Sequence, residues 1–250
     1  MIEREDERVE KDQRMGGVAL IAAAVAGLVT MTIHPTGEQL LAPGHFSSLA
    51  LMGVIAHTLA IASMPVAFLG AMALSRRLAS PDRLSLVALV SYGFAVVAGM
   101  IAATISGFVA GGVARQMIAA PGAEIWRTLF NFSGMMNQAF ALVLVVASCV
   151  AIILWSAAML RVREFAKGLA IYGLVMSSIV IVAVVSGQLR LHVAGFGLIV
   201  LAQSIWFVIV GSQMYGARRT ARSSLIGVFA LFLLLVLLGM HLMHAAHGLR

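Results

Sequence analysis

Long apolar runs separated by short polar segments dominate the pattern of this chain. Seven of them are long enough to cross a bilayer, because a transmembrane helix needs about 20 predominantly apolar residues. They cover residues 16–33, 47–74, 84–113, 129–160, 169–188, 193–214 and 225–243. With 61% hydrophobic and 11% charged residues and a mean hydropathy of +1.01, the 250-residue chain is unlike an ordinary soluble domain. The pattern predicts an all-α, polytopic integral membrane protein with about seven transmembrane helices.

The positions of the basic residues predict how these helices are oriented. When the seven runs alternate in direction, 13 of the 17 Lys and Arg residues fall on one side of the membrane and 4 on the other. Cytoplasmic loops carry the excess of Lys and Arg in membrane proteins. We therefore expect the N-terminus in the cytoplasm, the C-terminus outside, and a multi-pass location in the cytoplasmic (inner) membrane. The net charge of +7 follows from this topology and indicates no nucleic-acid partner.

The chain divides into a short tail and one membrane domain. Residues 1–15 mix acidic and basic side chains and are predicted to form a charged cytoplasmic tail, while residues 16–250 form a single transmembrane helical domain. Within that domain, Tyr92 and Tyr172 each precede a glycine and each follow an arginine-containing inner turn. This weak internal repeat suggests one lead helix, at the N-terminus, followed by three helical hairpins.

Gly107 and Gly111 form a small-xxx-small step in the third apolar run. Such steps let helix backbones approach closely in membranes. Besides the lipid bilayer, the predicted partners are therefore other membrane subunits, or further copies of this chain in a homo-oligomer, held through these two glycines.

Acidic residues are absent from all seven runs, and this narrows the possible functions. All 10 Asp and Glu residues lie in the tail or the loops. Ion-coupled transporters usually carry an intramembrane carboxylate, and acid–base hydrolysis and di-iron chemistry need paired carboxylates. The sequence contains no hydrolase, kinase or carboxylate-based catalytic constellation, so an enzymatic role would be at most that of an electron-transfer component.

The histidines have an asymmetric distribution. All seven fall on the predicted outer side: His34, His45, His57, His192, His241, His244 and His247. Three of them, His34, His57 and His241, lie 19 or 20 residues along the chain from a cytoplasmic arginine. At 1.5 Å per residue this places them about 28 to 30 Å above the inner arginines, near the outer edge of the hydrocarbon. Three helices are therefore expected to present an imidazole at one depth.

Imidazoles and thioethers at one depth predict a site for a redox metal. Neutral imidazole is the commonest metal ligand, and methionine thioether suits Cu(I). The candidate metal ligands are His57, His241, His244, His247, Met240 and Met243. A b-type haem would need two imidazoles from facing helices; the candidate ligands are His57 paired with His241, with His244 and His34 as substitutes. The leading hypothesis is an outer-side site for haem b or copper, used in electron transfer or metal handling.

Structural roles are the alternatives at each of these positions. His57 could instead make a hydrogen bond to a neighbouring helix, and the histidines at residues 241–247 could form a solvated helix end. His45 and His192 are expected in loops. The amides of Asn131, Asn137 and Gln138 are typical of contacts between helices.

Two further functions stay open beside the metal site. One is a cofactor-free accessory or scaffold subunit of a membrane complex. The other is a facilitator or permease for a metal ion or neutral solute, which predicts a polar path from the outer amides to Gln203, Ser204 and Gln213.

One short stretch bears on metal permeation. His34 followed by Gly44 and His45 distantly resembles the paired-histidine stretch of the nickel permeases, in which an Asp-His step follows a first histidine on the same helix. The resemblance covers about a dozen residues, and Gly44 stands where that family has its acid. It implies a possible metal substrate and no family membership.

Overall fold

The described part of the protein is entirely helical. The structure, a computed structural model, describes residues 2–35, 46–78, 83–120, 122, 124–162 and 165–216. Its helices are α1 (Ile2–Ile33), α2 (Phe46–Arg77), α3 (Leu84–Thr104), a π-helical turn (Ile105–Val109), α4 (Ala110–Ala119), α5 (Glu124–Val162), α6 (Lys167–Val185) and α7 (Val193–Met214). Because α3, the π-helical turn and α4 follow one another without a break, they form one rod.

Six helical segments of the described chain are long and apolar enough to cross a membrane. Their outward faces are apolar as well. On α6, for example, Ile171, Val175, Ile179 and Val182 are about half exposed or more and recur every three or four residues. Such a stripe suits lipid and would be unfavourable in water. An all-α, multi-pass membrane protein in contact with the bilayer is thus confirmed, while the seventh predicted run, residues 225–243, lies outside the described residues.

Several helices extend beyond the apolar runs that predicted them. The charged tail is the start of α1, where Arg14 and Glu10 form a salt bridge of 2.6 Å one turn apart. Helix α5 has 39 residues, which at 1.5 Å each is about 58 Å, so it must tilt or project beyond the bilayer. Helix α2 continues through Pro65 without ending.

Glycines let α1 pack between α2 and α7. A Cβ added to Gly17 would lie 2.5 Å from the carbonyl oxygen of Gly211, so the two backbones are in direct contact. On the other side of α1, a Cβ on Gly70 would lie 2.7 Å from Cγ of Leu20. Small residues at crossings are typical of membrane helices, where close packing replaces the hydrophobic effect as the driving force for association.

The two ends of the bundle differ. One end, here called the arginine end, carries Arg76, Arg77, Arg83, Arg161 and Lys167; the opposite, histidine end carries His34, His57 and His192. The aromatic core lies toward the arginine end. There Trp155 stacks on Trp206 with 6.1 Å between ring centroids, and its Nε1 donates a hydrogen bond of 2.9 Å to Ser75 Oγ. Large aromatic rings thus pack closely in the half of the bundle next to the arginine end.

Candidate functional site

Two of the predicted histidines meet at the histidine end. His34 follows the last residue of α1, and His57 lies on α2, so both reach the same level of the bundle. Their Nε2 atoms are 3.0 Å apart and their ring centroids 4.6 Å apart. The structure therefore brings together two of the three imidazoles that counting along the helices predicted at a common depth.

Hydrogen bonding determines the protonation of this pair. His57 Nδ1 lies 2.6 Å from the carbonyl oxygen of Gly53, which can only accept, so Nδ1 carries the proton. His57 Nε2 is then the acceptor, and His34 Nε2 donates to it. His34 Nδ1 is left as a bare acceptor; it is buried, and within the described chain nothing hydrogen bonds to it. Burial lowers the pKa of His34, which favours the neutral ring.

A glycine in the π-helical turn makes room for His57. A Cβ added to Gly107 would clash with the His57 side chain, at 2.6 Å from Cγ and 3.0 Å from Nδ1. Isolated π-helical turns are often found at functional sites. Gly107 thus packs inside this chain, against α2, whereas a Cβ on Gly111 would have no atom of the described residues within 4 Å. The contact of Gly107 therefore lies within this chain, and a contact of another subunit or copy through Gly107 and Gly111 stays a prediction.

The histidine pair borders a cavity of about 640 Å³. All the helices except α6 contribute to its lining, which is mostly small and apolar and, over the described residues, contains no Asp, Glu, Lys or Arg. The thioethers of Met31 and Met64 lie in the same lining as the two imidazoles. The cavity thus combines soft metal ligands with apolar surroundings.

The remaining polar groups at this end are partly used by the fold. Gln138 donates a hydrogen bond of 3.1 Å to the carbonyl oxygen of Leu191, which ties α5 to the loop before α7. His192 caps α7, since its Nδ1 accepts a hydrogen bond of 3.0 Å from the backbone N–H of Gly195. Asn137 also lines the cavity. His192 is therefore a loop residue, as expected, with a structural task.

The geometry of the pair suits a single ion better than a haem. Metal–imidazole bonds are about 2.0 to 2.1 Å long. Two imidazole nitrogens that bind one ion therefore lie about 3.3 to 4 Å from each other, depending on the N–metal–N angle. The observed 3.0 Å needs only a small opening to reach this range. A haem ligated by both rings would need its whole macrocycle between them, and rings in direct contact leave no such space.

The predicted metal ligands from the C-terminal run are not placed. His241, His244, His247, Met240 and Met243 lie outside the described residues, as does His45. Across the part of the chain that is described, no three His, Cys, Asp or Glu side chains are grouped as a metal site. The described candidate is therefore a two-imidazole site with thioethers in the same cavity.

The three residues of the polar path expected of a facilitator make hydrogen bonds between helices, and the facilitator itself stays a prediction. Gln203 donates to Ser148 Oγ at 2.9 Å and contacts Cys149 Sγ at 3.3 Å, so its amide joins α7 to α5. Ser204 donates to the carbonyl oxygen of Ala24 at 3.4 Å. Gln213 accepts from the backbone N–H at residue 166. None of these three residues lines the cavity, and each of them connects helices.

Comparisons of this chain with protein families, with curated proteins and with solved structures find no match. The class of the protein therefore follows from its own architecture. It is a multi-pass helical membrane protein whose bundle has an aromatic core at one end and a histidine-bordered cavity at the other.

Proposed function

We propose that the histidine pair binds a copper ion, as Cu(I), and that the protein works in metal handling or electron transfer. The observation that carries the proposal is the 3.0 Å contact between His34 Nε2 and His57 Nε2 beside a cavity that also contains two thioethers. Replacing the shared proton by an ion turns the hydrogen bond into a pair of metal–nitrogen bonds. Cu(I) accepts as few as two ligands and suits imidazole and thioether donors.

The charge of the site favours a monovalent ion. The described lining offers no carboxylate to compensate a cation, and the cost of moving an ion out of water grows with the square of its charge. A divalent ion would therefore be penalised far more than Cu(I) in the same place. Haem b, the other predicted cofactor, would have to use His57 with a ligand other than His34, such as His241.

The excess of arginine at the opposite end supports an outward-facing site. If the arginine end is cytoplasmic, in accord with the positive-inside rule, the copper site lies near the outer face of the cytoplasmic membrane with the N-terminus inside. His241, His244, His247, Met240 and Met243 stay predictions as additional ligands.

Copper titration of the purified full-length protein tests the proposal. We expect one Cu(I) per chain in competition with a chromogenic chelator, and a loss of affinity of about tenfold or more in His34→Ala and His57→Ala, because each removes one of two ligands. Asn137→Ala, in the same cavity, is the matched control and should keep its copper. The variants His241→Ala and His244→Ala test the C-terminal ligands separately. Absence of stoichiometric copper, or a Soret band in the absorption spectrum, would contradict the copper site.

A cofactor-free accessory subunit is the second candidate function. It is favoured by the hydrogen bonding of His57, whose two ring nitrogens are both already paired, so that the histidines could serve as a link between α1 and α2. In this case His57→Ala would lower stability with no copper bound in the unchanged protein. The open space at Gly111 would then be a contact for another subunit, and Gly111→Leu would reduce co-purification of that subunit.

A further inference from the structure

The cavity is far larger than an ion held by two imidazoles requires. Its volume of about 640 Å³ lies within the range of about 300 to 1,000 Å³ that is typical of sites for organic ligands. We propose that this cavity binds an uncharged amphipathic molecule with a hydroxyl head group, taken up from the bilayer. The proposal does not depend on copper.

The lining excludes a charged ligand. Over the described residues it contains no Asp, Glu, Lys or Arg, and an ion buried there would have no partner. Most of the lining is apolar, including Leu144 and Phe196, and matches a hydrocarbon body. The molecule should therefore be neutral and mainly apolar.

The polar groups of the cavity indicate the head group. His34 Nδ1 is enclosed by protein atoms, so the head group has to meet the other polar side chains of the lining. Asn137, also in the lining, can donate as well as accept. A hydroxyl group likewise donates and accepts, so it matches this amide whether or not an ion is bound.

Small residues from separate helices create the space. The rod of α3 and α4 contributes Gly99, Ala102, Ala103 and Ala110, and α5 contributes Gly134 and Ala141. Atoms lining an unfilled space lose dispersion contacts on one side. An apolar ligand restores these contacts, so filling the cavity is favourable by packing alone.

A glycine in the lining provides a variant that blocks the cavity without a clash. A Cβ added to Gly134 would have nothing within 4 Å among the described residues, so a leucine there clashes with none of them. Gly112 is the matched control: it is also helical, a Cβ there likewise meets none of the described residues within 4 Å, and it does not line the cavity. Gly134→Leu should therefore exclude the ligand, and Gly112→Leu should not.

Photolabelling tests the proposal with the full chain in bilayer nanodiscs and with a copper chelator present. The probe is a long-chain alcohol that carries a diazirine, and the comparison is the carboxylic acid of the same chain. We expect saturable labelling of cavity-lining residues by the alcohol, weak labelling by the acid, and labelling by the alcohol that falls about tenfold or more in Gly134→Leu while Gly112→Leu stays unchanged. Both variants should give the monodisperse elution and intrinsic fluorescence of the unchanged protein.

Three results would overturn the proposal. The first is labelling by the alcohol spread over lipid-facing residues such as Val175 and Ile179 without saturation. The second is equal labelling by the acid, and the third is undiminished labelling of Gly134→Leu. A failure of copper binding leaves all of these measurements unaffected, so the two proposals can fail separately.

Discussion

The contact between Gly107 and His57 gives the sharpest prediction about this protein. In Gly107→Ala the new methyl carbon would lie 2.6 Å from His57 Cγ, whereas unstrained carbon atoms are about 3.5 to 4.0 Å apart. The ring must therefore move by about 1 Å, or the π-helical turn must retreat by as much. A shift of this size in the ring stretches the 3.0 Å bond to His34 beyond hydrogen-bond range.

The expected loss of stability is the balance of three terms. Overpacking costs about 1 to 3 kcal/mol, and losing the hydrogen bond between the imidazoles costs about 1 kcal/mol. The higher helix propensity of alanine relative to glycine stabilises the folded variant by up to about 1 kcal/mol. The variant should therefore lose about 2 kcal/mol of unfolding free energy, measured by reversible unfolding in mixed detergent micelles. Its affinity for Cu(I) should also fall by about tenfold, or about 1.4 kcal/mol.

Gly111→Ala is the matched control, because Gly111 lies one turn further along the same rod and its added Cβ would contact none of the described residues. It should be neutral or slightly stabilising and should leave Cu(I) binding intact. If Gly107→Ala proved as stable as this control, His57 would not be held by the π-helical turn, and the inferred geometry of the pair would be wrong.

Three further predictions concern contacts that hold the helices of the bundle in place. Ser75→Ala should cost about 1 to 3 kcal/mol in the same unfolding assay, because it leaves the buried Nε1–H of Trp155 without its acceptor. Gly17→Leu should lower the free energy of unfolding by about 3 kcal/mol or more, since the backbone of Gly211 cannot move away from the added side chain. A variant as stable as the unchanged protein would refute the close contact between α1 and α7. His192→Ala should cost about 1 kcal/mol and speed amide exchange in the first turn of α7, because the helix cap is lost; unchanged exchange would argue against the cap.

Hydropathy predicted the number and order of the described spans well, because each apolar run must be as long as the hydrocarbon is thick. For example, the predicted run of residues 193–214 coincides with α7 (Val193–Met214). Helix ends were predicted less well, since hydropathy marks the lipid boundary while backbone hydrogen bonding can continue past it. Helix α5 begins at Glu124, five residues before its apolar run, because a polar helical turn outside the bilayer needs no apolar side chain.

Depth along a helix was predictable from the sequence, but lateral neighbours were not. Counting from the arginines placed His34 and His57 at one level, and the structure brings their rings together. The same count cannot show that α1 lies beside α2, because this depends on small residues such as Gly17 and Gly70 that resemble the other glycines of the chain. Met31 and Met64 were missed for the same reason, since thioethers in apolar runs carry no sign of what they face.

The two candidate functions of the histidine pair differ in what stabilises the contact between α1 and α2. With a hydrogen bond alone, removing either ring leaves the other with an unpaired buried nitrogen, so each single variant loses stability whether or not copper is present. With a bound ion, stability rises with the copper concentration, because a ligand that binds only the folded state adds to the free energy of unfolding. This rise requires both His34 and His57, since neither ring alone provides two ligands. The copper dependence of unfolding therefore separates a metal site from a structural link, even though both make the same residues important.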